Sequence, residues 1–321
     1  MAPHINVWGG EDRFWLGPEG GRYAIYFAPG DPFDLEHWQT PPLIDAVPYE
    51  VVARTDRSVA LRRRGQVVNR EGTEFALRID RTVRLVDADE AARGLGLERA
   101  PALPLVAYES VNTITNVGDD AWTEEGGLLS IWILGMFRPT DTTTVVVPFE
   151  PGSVDERGPV VNDAYFGEVP PDRLVVEDGV VYFRGDGRYR SKIGLGPRRA
   201  RSVLGSYDPA RGRLTLVRST RPEGATRYVD SRWELVDDPY GGDVVNSYND
   251  GPPAPGVPPL GPFYELETSS PAVALAPGES VTHVHRTVHV VGGPDALAPV
   301  AEAVLGVGPR RIARVFGGSA P

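Results

Sequence analysis

Alternation of apolar and polar side chains is the clearest pattern in this chain. Phe75, Leu77 and Ile79 are separated by Ala76, Arg78 and Asp80, which is the period of a β-strand with one dry face. Similar short runs rich in Val, Leu and Tyr recur between glycines and prolines. The chain has 37 Gly and 31 Pro, spread between these runs, so they are interpreted as turns. Many turns predict many strands.

Short runs rich in aromatic, Val and Leu residues predict further strands at residues 22–27, 49–52 and 213–217. Residues 174–183 predict a hairpin, because Asp178-Gly179 suits a tight turn with positive φ between two β-branched runs. Residues 128–137 form the most apolar run. It is about half the length that a membrane-spanning helix needs, so it predicts a buried strand.

Helical periodicity is scarce. It covers residues 89–97, a short and glycine-interrupted stretch, and residues 296–305, where Asp295 is the expected N-cap. Residues 251–261 contain five prolines and predict a loop over a surface or a cleft rim. Strands without helices between them favour an all-β fold, a large antiparallel sandwich, over an α/β fold.

Composition narrows the function classes. The 321 residues are 41% hydrophobic, enough for a large core. A net charge of -11 opposes both the nucleic-acid backbone and an anionic membrane surface, so neither is an expected partner. Cysteine is absent, which excludes disulfides and thiolate chemistry. Residues 1–6 carry no secretory pattern, so a cytoplasmic location is expected, or a secreted or periplasmic one if the true N-terminus lies upstream.

Three C-terminal segments carry a family resemblance. FYELETSSPA (263–272) and LAPGE (275–279), followed by THVHRTVH (282–289), resemble the closing strands of aldose 1-epimerases and other galactose mutarotase-like proteins. The resemblance implies a supersandwich of large antiparallel sheets with few short helices. It also implies that Glu267, in the Leu-Glu-Thr strand, is a catalytic base.

Four further motifs are similar to the uncharacterised bacterial family DUF6786 of the same superfamily. They are GGEDRFWLGPEGG (9–21), WQTP (38–41), SKIGLG (191–196) and NSYNDG (246–251). Members usually carry a β-rich stretch before the first motif, so residues 1–321 are expected to form one domain that lacks an N-terminal β segment. The Asn-His-x-x-Phe and His-Gly contexts that supply the acid in mutarotases are absent from this sequence.

Two carboxylates share one face of the Leu-Glu-Thr strand. Alternation puts Glu265 and Glu267 on one side and Tyr264, Leu266 and Thr268 on the other. Mutual repulsion would raise the pKa of one carboxyl and supply an acid or a base. The alternative is that both glutamates belong to a solvated outer face.

Three histidines, His283, His285 and His289, fall on one face of a single predicted strand. His-x-His spacing suits a metal ion, so His283 and His285 are candidate ligands and Glu267 a candidate third ligand. Otherwise these side chains are half-buried and hydrogen-bonded within the sheet. No cofactor is expected beyond this divalent ion.

A loop motif combines a titratable group, an indole and an amide. His37, Trp38 and Gln39 suit a sugar, whose C–H face stacks on an aromatic ring while its hydroxyls need fixed partners. His37 is the first candidate acid and His285 the second, and an ordinary structural loop is the alternative interpretation. Further binding candidates are polar or aromatic: Arg13, Trp15, Glu19, Arg190, Lys192, Trp233, Tyr248, Asn249 and Asp250.

The expected partner is therefore a mono- or oligosaccharide, and the leading hypothesis is an aldose 1-epimerase-like enzyme with a carboxylate base and a histidine acid. Two alternatives remain: a noncatalytic glycan-binding module, and a metal-assisted sugar lyase or isomerase. A β-sandwich without a ligand is a third. The sugar and the oligomeric state are not encoded in any of these patterns.

Overall fold

The computed structural model describes residues 9–317, and residues 1–6, on which the expectation about secretion rests, lie outside that range. Strands account for most of the regular structure. In chain order they are β1 Arg13–Gly17, β2 Glu50–Arg54, β3 Ser58–Val68, β4 Glu74–Val86, β5 Leu105–Asn116, β6 Ser130–Phe137, β7 Thr144–Pro148, β8 Leu174–Glu177, β9 Val180–Arg184, β10 Ser191–Leu195, β11 Val203–Asp208, β12 Arg213–Ser219, β13 Val245–Asn249, β14 Tyr264–Ser269 and β15 Ser280–Val291. The helices are α1 Pro42–Asp45, α2 Ala88–Gly94, α3 Val154–Arg157, α4 Pro294–Leu305 and α5 Pro309–Ile312.

These strands form two antiparallel sheets. The smaller sheet has the order β1-β6-β14-β13-β10, and the larger has the order β2-β3-β4-β5-β15-β12-β11-β7-β9-β8. The protein is therefore all-β, as its alternation predicts. Within residues 9–317, no helix is long and apolar enough to cross a membrane.

The core lies between the two sheets. Leu16 of β1 and Ile133 of β6 belong to the same buried cluster as Leu77 of β4 and Ile114 of β5. Farther along, Leu266 of β14 packs in a second cluster with strands of the larger sheet. Helices α2, α4 and α5 pack on a third cluster that includes residues of the larger sheet. The inner face of the smaller sheet is thus committed to packing, which leaves its outer face for other uses.

Several local predictions hold. Phe75, Leu77 and Ile79 are fully buried along β4. The 174–183 hairpin forms between β8 and β9, with φ of 50° at Asp178 and 79° at Gly179. The buried strand predicted at 128–137 is β6.

Two local predictions are wrong. Residues 22–27 form no strand: Ala24 and Ile25 donate backbone hydrogen bonds to Gly21 and Pro18, and the segment is a buried chain of turns. A continuous apolar run indicates burial rather than strand geometry, which explains the error. Asp295 lies in the first turn of α4, and the N-cap is Gly293.

Candidate active site

An aromatic-walled pocket lies on the outer face of the smaller sheet. Four indoles contribute to its lining, together with hydrophobic residues from several loops and a small set of charged groups. The lining residues are Arg13, Trp15, Glu19, Leu35, Trp38, Trp132, Leu134, Met136, Phe166, Arg190, Lys192, Trp233, Tyr248, Leu260, Phe263 and Glu265. Apolar walls with few polar groups are the usual composition of a small-molecule site.

Strand alternation explains why charged and aromatic side chains converge here. Arg13 and Trp15 alternate with Phe14 and Leu16, which are in the core. Across the sheet, Arg13 pairs with Leu134, Leu134 with Glu267, and Glu267 with Asn246. One row of register therefore runs from β1 to β13 and carries pocket-side residues from each strand.

The two faces of β14 make different contacts. On the inner face, Tyr264 is 2.8 Å from the Ser206 hydroxyl of the larger sheet, and the Thr268 hydroxyl contacts His283 and His285. On the outer face, Glu265 lines the pocket and Glu267 contacts Lys192. The predicted split of β14 into two faces is thus observed.

Indole rings surround the charged groups. The Trp15 ring lies 5.7 Å from that of Trp38 and 5.5 Å from that of Trp132, between centroids. Trp38 also stacks near Trp233 at 6.5 Å. A sugar presents an apolar C–H face, and such rings offer matching flat surfaces.

A buried ion pair lies at the base of this aromatic wall. Lys192 Nζ donates to Glu267 Oε2 at 3.0 Å, and Trp132 Nε1 donates to the same oxygen at 2.9 Å. Both charged side chains are almost completely excluded from solvent. The other oxygen, Oε1, is buried and has no hydrogen-bond partner within residues 9–317. Glu267 is completely buried and lies behind the residues that line the pocket, and Oε1 is the oxygen of this carboxylate that makes no hydrogen bond.

Lys192 is the only lysine in the 321 residues. Burial alone lowers the pKa of Lys192, but the charges of Glu267 and Glu19 and the hydrogen bond to Glu267 outweigh burial, and the pKa is raised overall. The ammonium group therefore stays charged at neutral pH. It also lies 4.5 Å from the centroid of the Trp132 ring, a cation–π distance.

Glu265 lines the pocket without the hydrogen bonds that hold Glu19 and Glu267. It lines the pocket and makes no side-chain hydrogen bond with another residue of 9–317. Burial, with the adjacent charge of Glu267, raises the pKa of Glu265 to about 8. The group is consequently protonated at neutral pH, and a protonated carboxyl can donate a proton or a hydrogen bond.

Glu19 supplies a third carboxyl group, from the loop after β1. Its Oε1 accepts a hydrogen bond from Trp38 Nε1 at 3.0 Å, which holds the indole in the pocket wall. Burial raises the pKa of Glu19. The loop can approach this closely because Gly20 has no side chain: an added Cβ would overlap the backbone carbonyl of Arg232.

A polar network supports Lys192 from behind. Tyr165 donates to Asp243 Oδ2 at 2.7 Å and accepts from Asn246 Nδ2 at 2.9 Å. The Asp243 carboxylate lies against Gly194, where an added Cβ would overlap it. The SKIGLG motif thus places its glycine where this carboxylate needs room, two residues from Lys192.

The structure brings most sequence-predicted binding residues together and leaves three outside. Arg13, Trp15, Glu19, Trp38, Lys192, Trp233 and Tyr248 all line the pocket. Asn249 is buried elsewhere and accepts from the Gly187 amide at 2.8 Å. Asp250 accepts from the Tyr248 hydroxyl and from the Gly261 amide, so it anchors the proline-rich loop. Gln39 is exposed and does not line the pocket.

Both candidate histidine acids, His37 and His285, lie outside the pocket lining. His37 is not in the pocket lining; its Nδ1 lies 2.7 Å from Asp34 Oδ1 near the surface, and this hydrogen bond raises the pKa of His37. His285 lies between the sheets, on the face of β14 opposite Glu267. Neither histidine shares the cavity with Glu265.

His283 and His285 are buried and hydrogen-bonded within the core, as structural residues are. His283 Nε2 and His285 Nδ1 lie 2.8 and 2.9 Å from the same Thr268 hydroxyl. Burial and the neighbouring His285 lower the pKa of His283 to about 3. Among the described residues, no group of three or more His, Cys, Asp or Glu side chains is arranged to hold a metal ion. Glu267 is on the opposite face and does not complete the set.

Two aromatic residues of the site, Trp132 and Phe166, are not singled out by the sequence analysis, whereas Arg190, a predicted binding residue, does line the pocket. A signal for the site did exist: a single lysine in an arginine-rich chain, set between glycines and strand residues, is unusual enough to examine. No pattern in the sequence indicates that Phe166 reaches the pocket, because it arrives from a loop.

Comparison with solved structures gives distant similarities. A protein from Escherichia coli K12, provisionally described as an aldose 1-epimerase, is 15% identical, with 91% of this chain and 82% of that chain covered and a TM-score of 0.48. A galactose mutarotase-like protein from Lactobacillus casei is 11% identical, with 87% and 84% covered and a TM-score of 0.44. A Salmonella typhimurium protein provisionally described as a mutarotase is 11% identical, with 88% and 82% covered and a TM-score of 0.44.

No curated protein matches the chain by sequence. One family model does, and it spans residues 1–316, nearly the whole length. The chain therefore belongs to DUF6786, a family of unknown function.

Proposed function

We propose that this protein is an acid–base enzyme that acts on a sugar, binding the ring against the indoles of the pocket and moving protons with Glu265 and Glu267. The observation that carries the proposal is the state of Glu265. It is a carboxyl group that lines the pocket, with a pKa raised to about 8, two residues along β14 from an ion-paired carboxylate. Two carboxyl groups in different protonation states are the usual basis for assigning an acid and a base.

The proposed reaction is the interconversion of sugar anomers. Glu265 donates its proton to the ring oxygen, while Glu267 takes the proton of the anomeric hydroxyl through Oε1, which has no other partner. The C1–O5 bond breaks as the C1 carbonyl forms, and reclosure on the other face returns both protons. The sequence resemblance supports Glu267 as the base, and Glu265 takes the place of the histidine acid in the initial hypothesis.

Lys192 and Trp132 act as positioning residues in this scheme. Both donate to Glu267 Oε2, so they fix the carboxylate and leave Oε1 turned away from them. Orientation of this kind is what a reaction between held groups requires. The glycan-binding alternative has the same pocket and differs only in turnover.

The experiment measures anomer exchange by NMR magnetisation transfer, with a panel of neutral and acidic sugars, for the wild type, Glu265→Gln and Glu267→Gln. Glu74→Gln is the matched control, since Glu74 is an exposed strand residue. Loss of a general acid or base is expected to slow exchange by about 100-fold or more. Binding of a sugar with no exchange in the wild type would instead identify a binding module. Exchange that is unchanged in Glu265→Gln would refute the assigned acid.

A further inference from the structure

Cations are unevenly matched with carboxylates in the pocket. Lys192 faces Glu267 and Glu19, whose charges act on it together. Arg13 lies at the other edge of the sheet, stacks on Trp15 at 4.4 Å, and acts on Glu265. Arg190 differs from both: within residues 9–317 it has no close ion pair, its Nε has no hydrogen-bond partner, and the carboxylate whose charge acts on it, that of Asp250, has other hydrogen-bond donors.

The guanidinium of Arg190 is held by stacking on aromatic rings, by a hydrogen bond with the Tyr248 side chain and by the charge of Asp250. The group lies 3.9 Å above the Phe166 ring and 5.5 Å from that of Trp233. Its Nε is buried and has no hydrogen-bond partner in the described part of the chain. The nearby Asp250 carboxylate is already engaged by the Tyr248 hydroxyl and the Gly261 amide. A stacked guanidinium keeps its planar fork of donors fixed, which suits a planar or multi-oxygen anion.

Arg190 is also well placed relative to the proposed chemistry. It lies two residues before Lys192, immediately ahead of β10, so their Cα atoms are separated by roughly 7 Å of extended chain. Both side chains line the same pocket as Glu265. A ligand that fills the pocket can therefore place one end at the carboxyl groups and the other at Arg190.

We infer that the substrate is an anionic sugar, one that carries a carboxylate or phosphate group, and that Arg190 binds this group by charge-assisted hydrogen bonds. The inference rests on the proposed function for the reaction and on Arg190 for the substrate class. A neutral sugar would leave the Arg190 donors with no anion to bind. Carboxylate and phosphate share the oxygen geometry that a guanidinium recognises, and the experiment separates the two.

The test is equilibrium binding by calorimetry with three ligand classes: glucuronate and galacturonate, glucose 6-phosphate and galactose 6-phosphate, and the neutral parents glucose and galactose. Proteins compared are the wild type, Arg190→Gln and Arg190→Lys. Arg188→Gln is the matched control, because Arg188 is an exposed residue of the same segment, paired with Asp141. Thermal unfolding of each variant verifies that it is folded, and Arg190→Lys retains the charge if Arg190→Gln does not fold.

The expected result is tighter binding of one anionic class than of its neutral parent, weakened about 10- to 100-fold in Arg190→Gln and little changed in Arg188→Gln. Arg190→Lys should retain part of the affinity. Equal affinity for neutral and anionic sugars, no binding of any anionic sugar, or anion binding that is unaffected in Arg190→Gln would overturn the inference.

The two proposals fail in different ways. Arg190-dependent binding of an acidic sugar without anomer exchange would refute the enzyme and leave the substrate class standing. Exchange of neutral sugars that depends on Glu265 and not on Arg190 would refute the anionic substrate class and leave the proposed enzyme standing.

Discussion

Replacing Lys192 by Met should destabilise the protein strongly at neutral pH. The substitution keeps the length of the side chain and removes its charge, so Glu267 loses the cation that lies 3.0 Å from it. Coulomb attraction at that distance is about 5 kcal/mol at an effective dielectric constant of about 20. Desolvation of both groups offsets part of this attraction, and removing one partner of a buried pair typically costs about 3–5 kcal/mol.

Protonation of the Glu267 carboxylate limits how much unfolding free energy Lys192→Met can lose, and it makes that loss depend on pH. A buried carboxylate without a cation can become neutral, and for a carboxyl with an unfolded pKa of about 4.3 this costs about 3.7 kcal/mol at pH 7 and about 1 kcal/mol at pH 5. The expected loss in Lys192→Met is therefore about 3 kcal/mol at pH 7, shrinking to about 1 kcal/mol at pH 5.

Urea unfolding at both pH values measures the free energies, and a double-mutant cycle with Glu267→Gln isolates the pair. Lys192→Met/Glu267→Gln should be more stable than Lys192→Met alone at pH 7, because it buries no unpaired carboxylate. Glu74→Gln serves as the surface control. A loss under about 1 kcal/mol that is the same at both pH values would refute the reasoning, since it would mean that water or another cation reaches Glu267.

Three further results are expected. Exchange activity should fall as the pH rises through about 8, because Glu265 then loses the proton that it donates. The free energy of unfolding should also fall as the pH rises from about 4.5 to 8, because over that range Glu265 binds a proton in the folded state and not in the unfolded state. Urea unfolding of Glu265→Gln should show no such fall. Gly194→Ala should cost about 1–3 kcal/mol in thermal unfolding because its Cβ overlaps the Asp243 carboxylate, whereas Gly196→Ala, whose Cβ meets Asp243 only at 3.7 Å, should stay within about 0.5 kcal/mol. Under native conditions amine-reactive reagents should spare Lys192, as peptide mass spectrometry would detect; rapid labelling would contradict its burial.

Much of the fold could be predicted because burial on one face leaves a two-residue period. β4 and the β8–β9 hairpin follow from that period and from the turn at Asp178-Gly179. Residues 22–27 could not be predicted, because a segment buried on all sides has no period to distinguish strand from turn. Their backbone hydrogen bonds depend on Pro18 and Gly21, which are local features, and on distant packing.

The site was partly predictable for a related reason. Alternation puts Glu265 and Glu267 on one face, and the structure has them there. Alternation does not distinguish the core face of a strand from its outer face, so the sequence predicts His285 and Glu267 alike as site residues, whereas Thr268 holds His285 between the sheets. Loop residues such as His37 and Phe166 are placed by tertiary contacts, and their position relative to the pocket has no local signature.

The two-sided character of β14 has a practical consequence for altering specificity. Variant libraries at position 265 change the chemistry of the cavity, whereas changes at 264, 266 and 268 disturb the contacts that hold one sheet to the other, and changes at 267 break the buried pair with Lys192. Selection for a new substrate is therefore best directed, on this strand, at the one pocket-lining position whose side chain makes neither kind of contact.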